Sequence, residues 1–449
     1  MVISQWKVPE IKTVKLSHLN FFLAALLAFF IPFSLHILPF IIGLWTLVFL
    51  ISGNFRDNFN HHLSNRKQWT VFILLEVFFL LHIVGMLYTT NTSEGWFDVQ
   101  VKISLFLLPV LIAGADKQFD KNLKYLLLVF ILGLAASALA CYILALVHSL
   151  HFIDGSVVFN IRPFPGSTDS YFTYQLFSVF VLPTYFATFL SFGIAILIYF
   201  LYNKITFRWL SGKGMILLIF FFSITIFLLS SRAGLITWFL VFTVFLLYLR
   251  FRRKIFTQWF AILYPVILIV ALFAFSVING ARFQPVMHEI QDAEHVNDQT
   301  ILGSVGLRIV IWKAAVKAIR SHRITGVGTG DVRETLYRET KIPGLDQAKM
   351  KNLNVHNQFL ETYLALGLPG LLVLIGIFII PALNNHGNGF LLLVLFLIIV
   401  LFNFIFECMF DRLSGVVFFS FFYSLLIFAR DDPAFVGNRM EKDNQKIVR

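Results

Sequence analysis

A histidine, His356, stands at the head of "HNQFLETYLALGLPGLL" (356–372), where polar chain gives way to an apolar run within one helical turn. Imidazole changes charge near neutral pH, so a residue of this kind can take a proton from a hydroxyl. Two arginines occupy comparable places. Arg232 lies in "SSRAG" (230–234), where two apolar runs meet, and Arg308 lies in "GLRIVIWKAAVKAIRS" (306–321). A pair of guanidiniums can hold a diphosphate through forked hydrogen bonds. One base and one anion clamp suit transfer of a group from a diphosphate to a hydroxyl acceptor. Asn357 and Glu361 follow His356 directly, and "FECMFDRLSG" (406–415) contributes Glu407, Asp411 and Arg412.

Each of these residues also has a structural reading. Arg232 can snorkel at a membrane edge, and Arg412 can clamp Glu407 or Asp411. Asn357 suits the cap of the following helix, accepting from first-turn amides. Glu361, one turn beyond His356, either fixes the imidazole or caps the helix. A cap needs no histidine, which leaves His356 over. On a helix at 306–321, Lys313, Lys317 and Arg320 fall on one stripe about 60° wide. Arg308 falls instead with Trp312, Ala315 and Ile319 on an apolar face, either snorkelling from the helix end or reaching for a partly buried anion. "ITGVGTGDV" (324–332) is glycine-spaced but lacks the Lys-Ser/Thr of a nucleotide loop, and reads as a tight return beneath that helix. Gly367 and Gly370 are expected to permit close packing. The histidines at 61, 62, 288, 295 and 322 are scattered, Cys141 and Cys408 lie far apart, and no nucleophile motif occurs. No metal and no cofactor are expected.

The elements that position these residues follow from composition. The chain of 449 residues is 58% hydrophobic and 13% charged, with 54 phenylalanines; a soluble domain carries roughly 25% charge. Long apolar runs recur throughout, which a bilayer accommodates and a soluble core does not. The fold class is an all-α polytopic membrane protein. About twelve spans are expected, near 19–35, 37–52, 69–88, 103–115, 124–148, 175–201, 214–230, 233–249, 257–278, 357–381, 389–406 and 411–429. Pro183 is expected to kink the sixth. Lys7, Lys12 and Lys15 precede the first run, which lacks a cleavage signal and reads as a retained anchor.

Lysine and arginine set the orientation. Alternate connections and the two ends carry 21 of the 36 basic residues, against only Lys102, Arg162, Arg232 and Arg412 in the short connections opposite. Both termini are therefore expected in the cytoplasm and the long loop in the periplasm. The net charge of +12 reflects this topology rather than a nucleic-acid partner. The domains expected are an N-terminal bundle of about nine spans (1–278), a long, partly helical periplasmic loop (279–355), about three C-terminal helices (356–429) and a cytoplasmic tail (430–449). Arg232, Arg308, His356, Glu407, Asp411 and Arg412 then share the outer face, where ionisable groups at membrane depth are functional candidates.

"SSRAG" (230–234), "GLRIVIWKAAVKAIRSHRITGVGTG" (306–330), "HNQFLETYLALGLPGLL" (356–372) and "FECMFDRLSGVVFF" (406–419) together resemble the O-antigen ligase and O-antigen polymerase superfamily of bacterial inner-membrane glycosyltransferases. The likeness covers the second half of the chain; the first half agrees only in hydropathy. The resemblance implies that His356 is the essential histidine and that Arg232 and Arg308 bind the diphosphate. It implies a donor glycan on undecaprenyl diphosphate and, for a ligase, a lipid A-core hydroxyl as acceptor. Transfer at the periplasmic face of the inner membrane would be metal-independent and inverting. Asn357, Glu361, Glu407 and Arg412 are supporting candidates. A polysaccharide polymerase of the same superfamily is the alternative. A transporter or flippase of lipid-linked sugars is the alternative from another class, for which Glu76 and His82 in the third span are the only intramembrane candidates.

Overall fold

The computed structural model describes residues 10–33, 36–53, 55–63, 66–116, 119, 122–153, 155–164, 167, 169–252, 266, 269, 304–340, 354–384 and 389–428. All but two residues of the ninth expected span, much of the long loop and the tail after 430 lie outside these. Helices dominate: α1 (Glu10–Phe30), α2 (Leu38–Ser52), α3 (Phe55–His62), α4 (Arg66–Gly85), α5 (Thr92–Lys102), α6 (Ser104–Ala113), α7 (Leu123–Ser149), the single turn α8 (Tyr174–Phe177), α9 (Pro183–Tyr202), α10 (Gly212–Leu228) and α11 (Arg232–Arg252). After the gap come α12 (Ser304–Ser321), α13 (Val332–Thr340), α14 (Gln358–Asn384), α15 (Phe390–Phe406), a 3-10 turn (Met409–Asp411) and α16 (Leu413–Phe428). Among the described residues, six helical stretches are long and apolar enough to cross a membrane: Arg66–Gly85, Thr92–Ala113, Leu123–Ser149, Pro183–Tyr202, Arg232–Phe251 and Gln358–Leu383. Five shorter apolar helices accompany them.

Phenylalanine builds the centre. α9 and α16 are buried along almost their whole length, and Phe189, Phe192, Phe418 and Phe422 interlock there with Phe130 and Phe396. Offset and edge-on ring pairs add roughly 0.5–1.5 kcal/mol each beyond area burial. The outward faces stay apolar, with Phe22, Phe40, Leu47, Leu217 and Phe220 all exposed. That pattern is stable only when the solvent is itself apolar.

Three features depart from expectation. Pro183 does not kink a span, because it occupies the first turn of α9. Its missing N–H has no intrahelical partner to lose there, and residues 178–182 lie outside any helix. A two-stranded hairpin, Leu150–Ile153 with Ser156–Phe159, follows α7, turning through Gly155 at φ 77°.

The third departure is in α14, which is not one rod. Gly367 has φ 66° and ψ −161°, and the rings of Phe359 and Phe378 lie 6.3 Å apart. Nineteen residues of straight helix would separate them by about 28 Å, so the chain doubles back at Gly367. A short segment (358–366) then lies alongside the apolar segment that continues to Asn384. Pro369 suits the restart, since the first turn of a helix tolerates proline.

The glycine-spaced stretch wedges this turn. Val327 and Gly328 donate to the carbonyls of Leu364 and Ala365 at 2.8 and 3.0 Å, and Leu368 donates to the Arg323 carbonyl at 2.9 Å. A Cβ on Gly367 would sit 2.1 Å from the Ile324 oxygen, and one on Gly330 would sit 2.1 Å from the Asn91 oxygen. The stretch is thus the tight return expected beneath α12, pinned to two other elements. Gly367→Ala is expected to cost about 1–2 kcal/mol from the left-handed backbone alone, and more from the contact with Ile324. A lowered thermal midpoint in detergent, with wild-type stability retained in Gly43→Ala, where nothing lies within 4 Å, checks this.

Candidate active site

His356 lies just before the doubled-back segment of α14. Asn357 caps that segment, its Oδ1 accepting from the amides of Phe359 and Leu360, both at 3.0 Å, while its Nδ2 donates to the Ile405 carbonyl at 3.1 Å. The capping role expected for Asn357 is therefore present, and the same side chain ties α14 to the end of α15. His356 itself has φ 50°, a left-handed conformation that costs a non-glycine residue about 1–2 kcal/mol. Its amide donates to Asn354 Oδ1 at 3.2 Å, which holds the strained backbone.

Glu407, at the C-terminus of α15, faces two of the expected site residues. Its Oε1 accepts from Arg308 Nη2 at 3.0 Å, and its Oε2 lies 3.4 Å from His356 Nδ1. The three side chains are partly open: 30% exposed for Arg308, 32% for His356 and 17% for Glu407. Trp312, one turn after Arg308, donates its indole N–H to the Val355 carbonyl at 2.9 Å. The face of α12 that pairs Arg308 with Trp312 thus docks directly on the histidine strand, and Lys313, Lys317 and Arg320 point away, exposed. The carboxylate against the imidazole is Glu407; Glu361 instead accepts from the Val355 amide at 3.2 Å and from Cys408 Sγ at 3.7 Å.

Arg232 begins α11, two positions after Ser230, another left-handed residue with φ 48°. Packing fixes its height. Tyr185 in α9 donates to the Cys408 carbonyl at 3.2 Å, and Thr188 donates to Asn403 Oδ1 at 2.9 Å. Asn403 in turn donates to Thr237 of α11 at 3.3 Å, and Ser231 donates to Thr184 at 3.4 Å. α9 and α11 therefore run parallel, both antiparallel to α15, and the start of α11 lies level with the end of α15 that carries Glu407. Arg232 is partly buried and forms no ion pair among the described residues. Arg412 does not clamp Glu407 or Asp411. Those carboxylates face Arg308 with His356 and Lys102 respectively, while Arg412 is exposed and unpaired among the described residues.

Behind His356 lies a charged cluster that spacing in the sequence did not signal. Lys102, only 4% exposed, pairs with Asp98 and stands 4.0 Å from Asp411. Asp411 Oδ2 accepts from Asn354 at 3.4 Å, so a chain of contacts runs from Lys102 through Asp411 and Asn354 to the His356 amide. Burial lifts the Asp411 carboxyl above the ordinary carboxylate range, and Lys102 opposes that rise. Glu361, Cys408 and Asp411 bring one donor atom each within 4.8 Å of one another. Such a trio can hold a cation; here the Lys102 ammonium supplies a fixed positive charge at its edge.

Between α14 and α15 runs an apolar groove of about 870 Å³, walled by Leu371, Ile375, Phe378, Val394 and Leu401. Phe359, three residues after His356, also lines it.

The arrangement has a definite chemical capacity. An ionised carboxylate can only accept, so Glu407 selects the tautomer with a proton on Nδ1, leaving the Nε2 lone pair free as a base. One of five guanidinium N–H groups of Arg308 is used by Glu407 and the others stay available. With Arg232 at the same level, the site carries a surplus of positive charge.

Residues 216–375 match the family model described as O-Antigen ligase. The matched region holds Arg232, Arg308, His356 and Glu361, and stops short of Glu407 and Asp411. No curated protein matches the chain.

Proposed function

We propose that this chain, whose residues 216–375 match the family model described as O-Antigen ligase, transfers a glycan from a lipid diphosphate to an acceptor hydroxyl at the periplasmic face of the bacterial inner membrane. The single observation that carries this reading is the bridge of Glu407 between His356 and Arg308, which joins a base to an anion-binding group. His356 Nε2 takes the acceptor proton as the hydroxyl oxygen attacks the anomeric carbon. The bond from that carbon to the phosphate oxygen breaks, and its electron pair leaves on the diphosphate. Arg308 and Arg232 neutralise the charge that grows there, where preorganised donors act most strongly. One such displacement inverts the anomeric centre. The apolar groove that Phe359 helps to line suits the lipid part of the donor, for which undecaprenol is the proposed carrier. Lipid A-core is the proposed acceptor; a second lipid-linked unit would make the same site a polymerase.

A reconstituted assay with a defined lipid-diphosphate glycan and both acceptors tests the proposal. Product on lipid A-core alone supports a ligase, product on the second donor alone a polymerase, and product on neither sinks the reading. Within that assay, Arg308→Lys and Arg232→Lys keep charge but lose the fork. Each is expected to lower turnover at least tenfold; wild-type rates in both would rule out forked diphosphate binding.

A further inference from the structure

The far end of α12 holds a second cavity, about 460 Å³ in volume, which the reaction proposed above leaves unused. One wall is the link after α4, with Tyr88 and Thr90; the other is α13, with Thr335 and Arg338; His322 and Thr325 close the end. The Gly326–Val327 backbone forms the floor, already pinned to the turn of α14. The volume lies within the usual range of small-ligand sites, roughly 300–1,000 Å³.

The lining chemistry narrows the ligand. Its formal charges are already engaged: Asp331 accepts from both the Thr90 and Asn91 amides at 2.7 Å and from the Thr90 hydroxyl. Glu334 pairs with Arg338, and Glu339 pairs with Lys317 at 2.9 Å. Among the described residues, an anionic ligand would meet no unpaired cation, and the one lining carboxylate without a cation partner, Asp331, already accepts from three donors. The Thr335 hydroxyl and His322 Nε2, by contrast, have no partner among the described residues, although His322 Nδ1 lies 3.2 Å from the Ala318 carbonyl. Tyr88 is 41% exposed and held in place by its hydroxyl, which donates to the Thr325 carbonyl at 2.5 Å. A fixed aromatic ring among neutral donors and acceptors suits a ligand with apolar faces and hydroxyl edges.

We infer that this cavity is a binding subsite for neutral carbohydrate, holding the glycan chain some distance from its reacting end. His322 follows the end of α12 and lies fourteen positions after Arg308, about 21 Å along the helix, so the cavity meets sugars well beyond the one being transferred. This assignment rests on the glycosyl-transfer reading for its role, but the binding can be measured without any transfer.

The test uses the full chain in nanodiscs and the surface polysaccharide of the cell that makes it, freed from lipid by mild acid and cut to short oligosaccharides. Saturation-transfer NMR is expected to show binding to the wild type and to His356→Asn, about tenfold weaker binding in Tyr88→Ala and Thr335→Val, and a smaller loss in Tyr88→Phe, which keeps the ring but not its hydrogen bond to Thr325. No binding to the wild type, or equal binding in Tyr88→Ala, overturns the subsite. In the transfer assay, Tyr88→Ala is expected to raise KM about tenfold for long-glycan donors and to leave single-unit donors unchanged. An equal change for both lengths overturns the assignment. Absence of transfer from any donor by the wild type, with oligosaccharide binding intact, would count against the proposed reaction and not against the subsite.

Discussion

Replacing His356 with asparagine is expected to lower glycosyl transfer by roughly 10²–10⁴-fold, the usual contribution of a positioned general base. Asparagine is the informative substitution because His356 has φ 50°. Asparagine tolerates the left-handed region and alanine does not. His356→Ala would mix loss of the base with relaxation of the backbone that Asn354 holds. The thermal midpoint of His356→Asn should match the wild type, and KM for the donor should stay within about threefold, since the diphosphate contacts remain. Full transfer by a correctly folded His356→Asn would remove the base from the mechanism.

Glu407→Gln should be nearly as damaging, at roughly 10²-fold or more in kcat, although the residue itself need not touch substrate. A glutamine can donate as well as accept, so it no longer dictates which imidazole nitrogen carries the proton. Nor does it offset the imidazolium that forms as the acceptor is deprotonated. The same change releases Arg308 from its 3.0 Å partner. To the extent that Glu407 acts through His356, Glu407→Gln should cost less in the His356→Asn background than in the wild type, and what remains there is the share that acts through Arg308. Fully multiplicative losses would show that Glu407 is a separate structural support.

How much of this was legible in the sequence depends on the range of the interaction. Local rules worked for Asn357, whose cap involves residues two and three positions on, and for Arg308, whose apolar helical face follows from spacing alone. Hydropathy marked the helices, because apolar composition is a property of a segment. It is blind to the path within one, so residues 357–381 read as a single span although "GLPG" contains the means for a reversal. The Asp-Gly at 154–155 was a usable hairpin signal that the surrounding apolar runs outweighed. Glu407 could not be assigned from sequence, since 51 residues separate it from His356 and 99 from Arg308. Lys102 was noted only as a sparse basic residue in a short connection, while its partner Asp411 lies more than 300 positions away.

The reversal at Gly367 also bears on what the substrate must do. Because residues 358–366 fold back beside Phe378, His356 lies alongside the apolar segment of α14 rather than beyond its end. A base mounted at the top of a straight helix would require its lipid-anchored substrate to be hauled outward, and each methylene withdrawn from the bilayer costs about 0.8 kcal/mol. On the reaction proposed above, a short returning segment would let the diphosphate react nearer the level where its own tail leaves it. The binding energy that extraction would have consumed stays available for the transition state.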